Sequence, residues 1–242
     1  MNVWGITDVG AVRKQNQDSY HIERPAEDMA LGMVCDGMGG AKAGNVASLL
    51  AVETFLETAR SQPLEQWRNE PEALLHFAAE QANAAVHFRA CVDADCRGMG
   101  TTMVTALVVG DRAYILNIGD SRCYLVQPEG ISRITRDHSL VEDLVARGQI
   151  TPEQARQHPQ KNLITRALGA EAKLRADLYR QDLTDGDALL LCSDGLSNTV
   201  TDQELLYEVL HGGPGEDCCR RLLDIALSRG APDNVTAVLL QM

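Results

Sequence analysis

Short apolar runs closed by polar turns fill the start and middle of the chain, with longer stretches of helical periodicity between and after them. Residues 2–8 and 19–24 read as strands joined by the polar turn Val9–Asp18, and Met29–Cys35 reads as a third, continuously apolar strand. A helix is predicted over roughly Lys42–Arg60, where Val46, Leu49, Leu50, Val52, Phe55 and Leu56 make a broad apolar face. A second helix follows Pro71, a residue suited to a first turn because its missing N–H would be unpaired there anyway. In the middle, Thr101–Val109, Arg112–Ile118 and Arg122–Gln127 are separated by Gly110-Asp111 and Gly119-Asp120, which predicts a meander of hairpins. Residues 139–160 are polar and helical, with Thr151-Pro152 opening a second short helix, and Lys173–Arg180 and Asp187–Cys192 return to strand. Helices Thr201–Leu210, opened by a Thr201–Glu204 capping box, and Gly215–Arg229 precede a last strand, Asn234–Leu240.

That order lacks the strict βαβα alternation of a doubly wound sheet. It predicts an α+β layered sandwich, antiparallel sheets with helices packed outside them. No linker or low-complexity segment divides the 242 residues, so one domain is expected over 1–242. A hydrophobic fraction of 45% is enough for a proper core. No apolar stretch approaches the roughly 18 to 20 residues of a membrane span, and the N-terminus has no signal-peptide design, so a cytoplasmic, unanchored protein is expected. The net charge of −12 argues against a nucleic-acid surface, which needs a basic stripe. Seven cysteines with no CxxC pair read as buried, reduced thiols.

The candidate chemistry is acidic. Asp36-Gly37 follows the apolar run ALGMVC and Asp194-Gly195 follows ALLLCS. Asp120 follows ILNIG, Asp233 immediately precedes the last strand, and Asp18 precedes SYHIE. One such aspartate is a turn, since Asp-Gly is a strong turn dipeptide. Five at strand ends suggest a carboxylate cluster, whose members repel one another unless a cation neutralises them. Oxygen-only ligands suit a hard divalent ion, Mg²⁺ or Mn²⁺. Gly37, without a Cβ, would let its backbone carbonyl approach such an ion. On this reading the strand stops at Asp36 because Asp36 holds metal.

Seven ordered motifs span residues 13–236: Arg13-x-x-Asn16-Gln17-Asp18; Val34-x-Asp36-Gly37-Met38-Gly39-Gly40; Met99-Gly100-Thr101-Thr102; Asn117-Ile-Gly119-Asp120-Ser121-Arg122; Asp137-His138-Ser139; Cys192-Ser193-Asp194-Gly195-Leu196; and Pro232-Asp233-Asn234-Val235-Thr236. Together they resemble the metal-dependent protein Ser/Thr phosphatases (PPM, or type 2C) of the compact bacterial kind. The resemblance implies a four-layer α/β/β/α sandwich, two stacked antiparallel sheets flanked by helix pairs, with metals in a cleft at one edge.

By motif matching, Asp36 would bridge two Mn²⁺ or Mg²⁺ ions and the Gly37 carbonyl would bind one of them. Asp194 and Asp233 would complete the second, and Asp18 would contribute directly or through water. Asp120 with Asp194 matches the position of a third, weaker ion. Asn234 would support Asp233, Arg13 would hold the substrate phosphate, and residues 137–170 match a mobile flap. The implied activity is hydrolysis of phosphoserine and phosphothreonine in proteins by a hydroxide bridging the two ions, by a monomer acting opposite a Ser/Thr protein kinase. Met38 departs from the histidine of many eukaryotic relatives, which serves as general acid. Metal-bound water is the substitute, with His138 a second candidate. Two alternatives stand beside this reading: a catalytically silent phosphoprotein-binding pseudophosphatase and another two-metal phosphoesterase.

Overall fold

The structure, a computed structural model, describes residues 1–39 and 43–242 in full and residues 40–42 by secondary structure alone. The side chain of Lys42, the expected helix start, and Gly40 of the 34–40 motif therefore lie outside the fully described residues. The chain begins with β1 (Asn2–Asp8), β2 (Asp18–Glu23) and β3 (Met29–Met38), followed by helices α1 (Gly40–Arg60), α2 (Leu64–Asn69) and α3 (Pro71–Val92). After a 3₁₀ turn at Ala94–Cys96 come β4 (Gly100–Thr101), β5 (Met103–Val109), β6 (Arg112–Ile118), β7 (Arg122–Gln127) and β8 (Gly130–Arg133). Two short helices, α4 (Leu140–Ala146) and α5 (Pro152–Arg156), lead to β9 (Asp177–Asp182) and β10 (Ala188–Cys192). Helices α6 (Asp194–Ser197), α7 (Asp202–His211) and α8 (Gly215–Ser228) and strand β11 (Val235–Gln241) complete the chain.

These strands form two antiparallel sheets. One has the order β1-β11-β10-β7-β8; the other runs β2-β3-β5-β6-β9, with β4 added on β3. Their neighbours show how they stack, because alternate residues of a strand face opposite ways and join different parts of the core. Along β3, Met29, Leu31, Met33 and Cys35 pack with α1 and α3, while Ala30 and Val34 face the other sheet. Along β10, Ala188, Leu190 and Cys192 pack with α7 and α8, while Leu189 and Leu191 face inward to β3 and its neighbours. The result is the expected order of layers, helices, sheet, sheet, helices. Each buried aliphatic side chain of the middle layer contributes on the order of 2 kcal/mol, so this layer can tolerate a polar end.

Several expectations need correction. Residues 101–122 are not a simple meander: β5 and β6 pair, but β7 belongs to the other sheet, so the chain crosses between layers at Gly119–Ser121. Likewise β1 and β2 are no hairpin; residues 9–17 carry the chain from one sheet to the other. The strand expected at Lys173–Arg180 forms at Asp177–Asp182, paired with β6. The strand expected over Thr101–Val109 is broken at Thr102. Elements α2, β8 and α6 have no counterpart in the sequence pattern. Of the cysteines, Cys91 is exposed and the other six are buried; all are free.

Candidate active site and metal centre

The interlayer crossings at residues 9–17 and 119–121 lie at the same end of the sandwich, and there the layer between the sheets changes from aliphatic to polar. Val34 faces the opposite sheet; two residues on, Asp36 occupies the same face at the edge of the gap. Asp18 stands directly across from Asp36 in the β2–β3 register. Its Oδ2 accepts hydrogen bonds from Ser193 Oγ at 2.7 Å and Thr236 Oγ1 at 2.6 Å, both from the other sheet's end. Its Oδ1 is buried with no partner in the described residues. Asp194 opens α6 and accepts from Asn198 Nδ2 at 3.1 Å. Asp120 sits on the β6–β7 crossing, and Asp233 just before β11. A cavity of about 570 Å³ is lined by Asp36, Gly37, Asp120, Asp194 and Asp233, with Arg13 and Met38 also on its wall.

The strand does not stop at Asp36, contrary to the sequence expectation. It runs on to Met38, but exchanges partners: Val34 is the last residue paired with β5, and Gly37 and Met38 pair with Thr101 and Gly100 of β4. Three hydrogen bonds fix the Asp36 backbone at this fork. Its carbonyl accepts from Thr102 N–H at 2.8 Å and Thr101 Oγ1 at 2.9 Å, and its N–H donates to Thr102 Oγ1 at 2.9 Å.

The two Asp-Gly pairs are not turns either, since neither Gly37 nor Gly195 has positive φ. Close backbone approach demands these glycines. A Cβ on Gly37 would lie 2.0 Å from the Gly44 carbonyl oxygen, and one on Gly195 would lie 1.9 Å from the Asn234 carbonyl oxygen. The first contact seats α1 against the end of β3; the second locks Asp194 beside Asp233.

Electrostatics describe a site short of positive charge. Burial, reinforced by the charges of Asp18, Asp194, Asp120 and Asp233, holds Asp36 well above the ordinary 3.8. Burial outweighs the Thr236 and Ser193 hydroxyls at Asp18, which is pushed up to about 7. Asp120 rises to about 8 through burial and the nearby Asp194. Asp194 rises to about 6 through burial and Asp233, partly offset by Arg122 and Arg13. The wall holds no His or Cys among the described residues. An all-oxygen set, mutual repulsion and the orphaned Asp18 Oδ1 together fit hard divalent cations. No three acidic, His or Cys side chains among the described residues already close into a finished cage. Asp233 is already engaged: its Oδ2 accepts from Arg13 at 2.6 Å and its Oδ1 from the Asn234 N–H at 2.9 Å.

Asn234 and Arg13 lie at the cleft, and His138 does not. Asn234 supports Asp233 through its backbone, but its side chain pins the 9–17 crossing. Nδ2 donates to Val9 and Gln15 carbonyls, and Oδ1 accepts from Gln17 N–H at 2.8 Å. Arg13 rides on this crossing. His138, the second candidate general acid, does not line the cavity. It is buried, its Nδ1 accepting from Gly119 N–H at 3.1 Å, which leaves Nε2 to donate to Asp177 at 3.0 Å. Nδ1 thus ties the flap root to the crossing that carries Asp120, and Nε2 ties it to the start of β9. The flap itself is closed at its base by the bridges Ser139–Ile164 and Thr101–Leu168. Sequence reasoning gave no role to Ser193, Thr236, Thr102 or Ser121. The last two are joined by a 2.7 Å hydroxyl contact. Their only signal was membership of the ordered motifs.

Residues 11–213 match the family described as protein phosphatase 2C. The chain is similar to serine/threonine phosphatase stp of Listeria monocytogenes, at 35% identity over 235 residues covering 97% of this chain and 93% of that one. It is similar to protein phosphatase PhpP of Streptococcus pneumoniae, at 37% identity over 244 residues covering 100% and 98%. Among solved structures it is similar to the catalytic domain of the serine threonine protein phosphatase PstP in complex with two manganese ions. There the TM-score is 0.86 and the identity 36%, covering 98% and 96%.

Proposed function

Because the chain belongs to the protein phosphatase 2C family, we propose that its carboxylate-lined cleft hydrolyses phosphoserine and phosphothreonine side chains of phosphoproteins with two Mn²⁺ or Mg²⁺ ions. The observation that carries the reading is the meeting of Asp36, Asp120, Asp194 and Asp233, from distant parts of the chain, on one cavity wall. Asp36, with the Gly37 carbonyl, Asp194 and Asp233, would hold the two ions, and Asp18 would reach them directly or through water. Asp120 with Asp194 would hold a third. When bound, such ions supply a nucleophile from water at neutral pH and offset charge on the phosphoryl oxygens.

The chain's own residues do the rest. The three bonds to its backbone orient Asp36 across from Asp18. Arg13, half-exposed at the mouth, spends one N–H on Asp233, and the rest of its fork suits phosphate oxygens. Manganese-dependent release of phosphate from a phosphothreonine peptide, lost in Asp36→Ala, tests the reading. A variant that still turns over would refute it, and binding without turnover by the unmodified protein would favour a silent phosphoprotein binder.

Met38 lines the cleft and has no proton to give a departing alkoxide. Aryl phosphates with acidic leaving groups are therefore expected to be cleaved out of proportion to phosphothreonine peptides. Met38→His is expected to flatten the dependence of log kcat on leaving-group pKa; identical slopes in the two proteins would count against it.

The same proposal covers one catalytic domain over 1–242, with 137–170 as its flap, acting opposite a Ser/Thr kinase in the cytoplasm. Seven free thiols support a reducing compartment. Every proposed ligand comes from one chain, which supports a monomer at 26.3 kDa, to be checked by light scattering.

A further inference from the structure

A second cavity of about 410 Å³ opens beside the first, sharing Asp120, Asn162 and Asp194 with it. It runs between the flap helices α4 and α5 and the stretch from α6 to the start of α7. Its floor is mixed: Val141 and Val145 from α4 and Val200 from the other side are apolar, and the Ser197 hydroxyl is buried with no partner among the described residues. The charges on its wall divide into two groups. Arg122 and Arg133 are taken up by Asp137 and Glu142. Arg156, the last residue of α5, and Lys161 are exposed and form no ion pair or side-chain hydrogen bond among the described residues, although Arg156 lies near enough to Glu153, on the same helix, to help lower that carboxyl's pKa.

Of the unpaired acids, Asp120 and Asp194 belong to the cation site. Only Asp202 is left, as the first residue of α7, where the helix N-terminus offsets a negative charge. With cations in the cleft the groove is therefore electropositive along the flap side. It is continuous with the place where the phosphate would sit.

Resting on the phosphatase reading, we propose that this groove seats the substrate residues flanking the phosphorylated one, and that Arg156 and Lys161 select an acidic side chain among them. They are specificity-determining residues and touch no reacting atom. An aspartate or glutamate reaching them would gain a charge-assisted contact, whereas a lysine would face two cations and the metal cluster.

The test uses the full chain with Mn²⁺ and a set of phosphothreonine peptides. A single Glu, Gln or Lys is walked from three residues before to three residues after the phosphothreonine. At one or two of these positions Glu is expected to raise kcat/KM over Gln by about fivefold, with Lys lower still. The double variant Arg156→Gln, Lys161→Gln is expected to erase that preference. It should leave p-nitrophenyl phosphate turnover unchanged, since that substrate has no flanking residues. Equal kcat/KM for Glu, Gln and Lys at every position, or a Glu preference that survives in the double variant, would overturn the proposal. No turnover of either kind of substrate by the unmodified protein would instead strike down the phosphatase reading, and the inference with it.

Discussion

Asp36→Asn is expected to lower turnover by about a thousandfold or more while making the metal-free protein more stable. The first effect follows from removing a carboxylate that, on the proposed reading, would help hold the two cations, each of which would be worth several kcal/mol in the transition state. The second follows from the repulsion among the buried carboxylates. Asp18, Asp120 and Asp194 all titrate above their unfolded value of 3.8, at about 7, 8 and 6, and Asp36 is raised as well.

A carboxyl whose folded pKa is raised is harmless below its unfolded pKa, where both states are protonated. Its cost appears as pH rises through the window between the two values and is complete above the folded one. The chelator-treated protein should therefore lose stability between about pH 4 and pH 8, and saturating Mn²⁺ should restore it. At pH 8 in chelator the asparagine variant is expected to melt on the order of 5 °C higher than the unmodified protein. With Mn²⁺ the order should reverse. A variant that melts lower in chelator, or a metal-free protein whose Tm climbs from pH 5 to pH 8, would show that the site is not strained by its own charge.

Gly195→Ala is expected to destabilise the whole fold by about 3 kcal/mol or more, read as a drop in urea midpoint at unchanged m. The new methyl would meet the Asn234 carbonyl oxygen at 1.9 Å, and backbone, unlike a flexible side chain, has little room to yield. Displacing Asn234 also loosens Val9, Gln15 and Gln17, so any folded fraction should bind Mn²⁺ more weakly. Gly37→Ala, opposed by the Gly44 carbonyl at 2.0 Å, should behave alike. A midpoint within error of the unmodified protein would mean that these contacts relax without cost.

The strands and helices were largely legible in the sequence because their signals are local. The unbroken apolar runs Met29–Cys35 and Ala188–Cys192, the helical stripe of α1 and the Thr201 capping box each need only a few neighbouring residues. Which sheet a strand joins needs the whole molecule. Gly119-Asp120 serves a hairpin and a crossing equally well, and only packing between layers sends β7 to the other sheet. The aspartates stood out because each follows or precedes an apolar run. Their glycines were ambiguous in sequence, because a turn and a close backbone approach leave the same dipeptide behind. The part played by His138 depends on Gly119 and Asp177, far from it in sequence, and no spacing rule could have located those partners.

The crossings at residues 9–17 and 119–121 have a mechanical consequence. Both tie the two sheets together at the mouth of the cleft, while the carboxylates they position are shared between the sheets. Sliding one sheet past the other by a single residue, about 3.3 Å, would separate Asp18 from Ser193 and Thr236 and scatter the ligands. Shear between the layers is thus the deformation these stitches oppose, and catalytic competence gauges how firmly the two halves of the sandwich are registered.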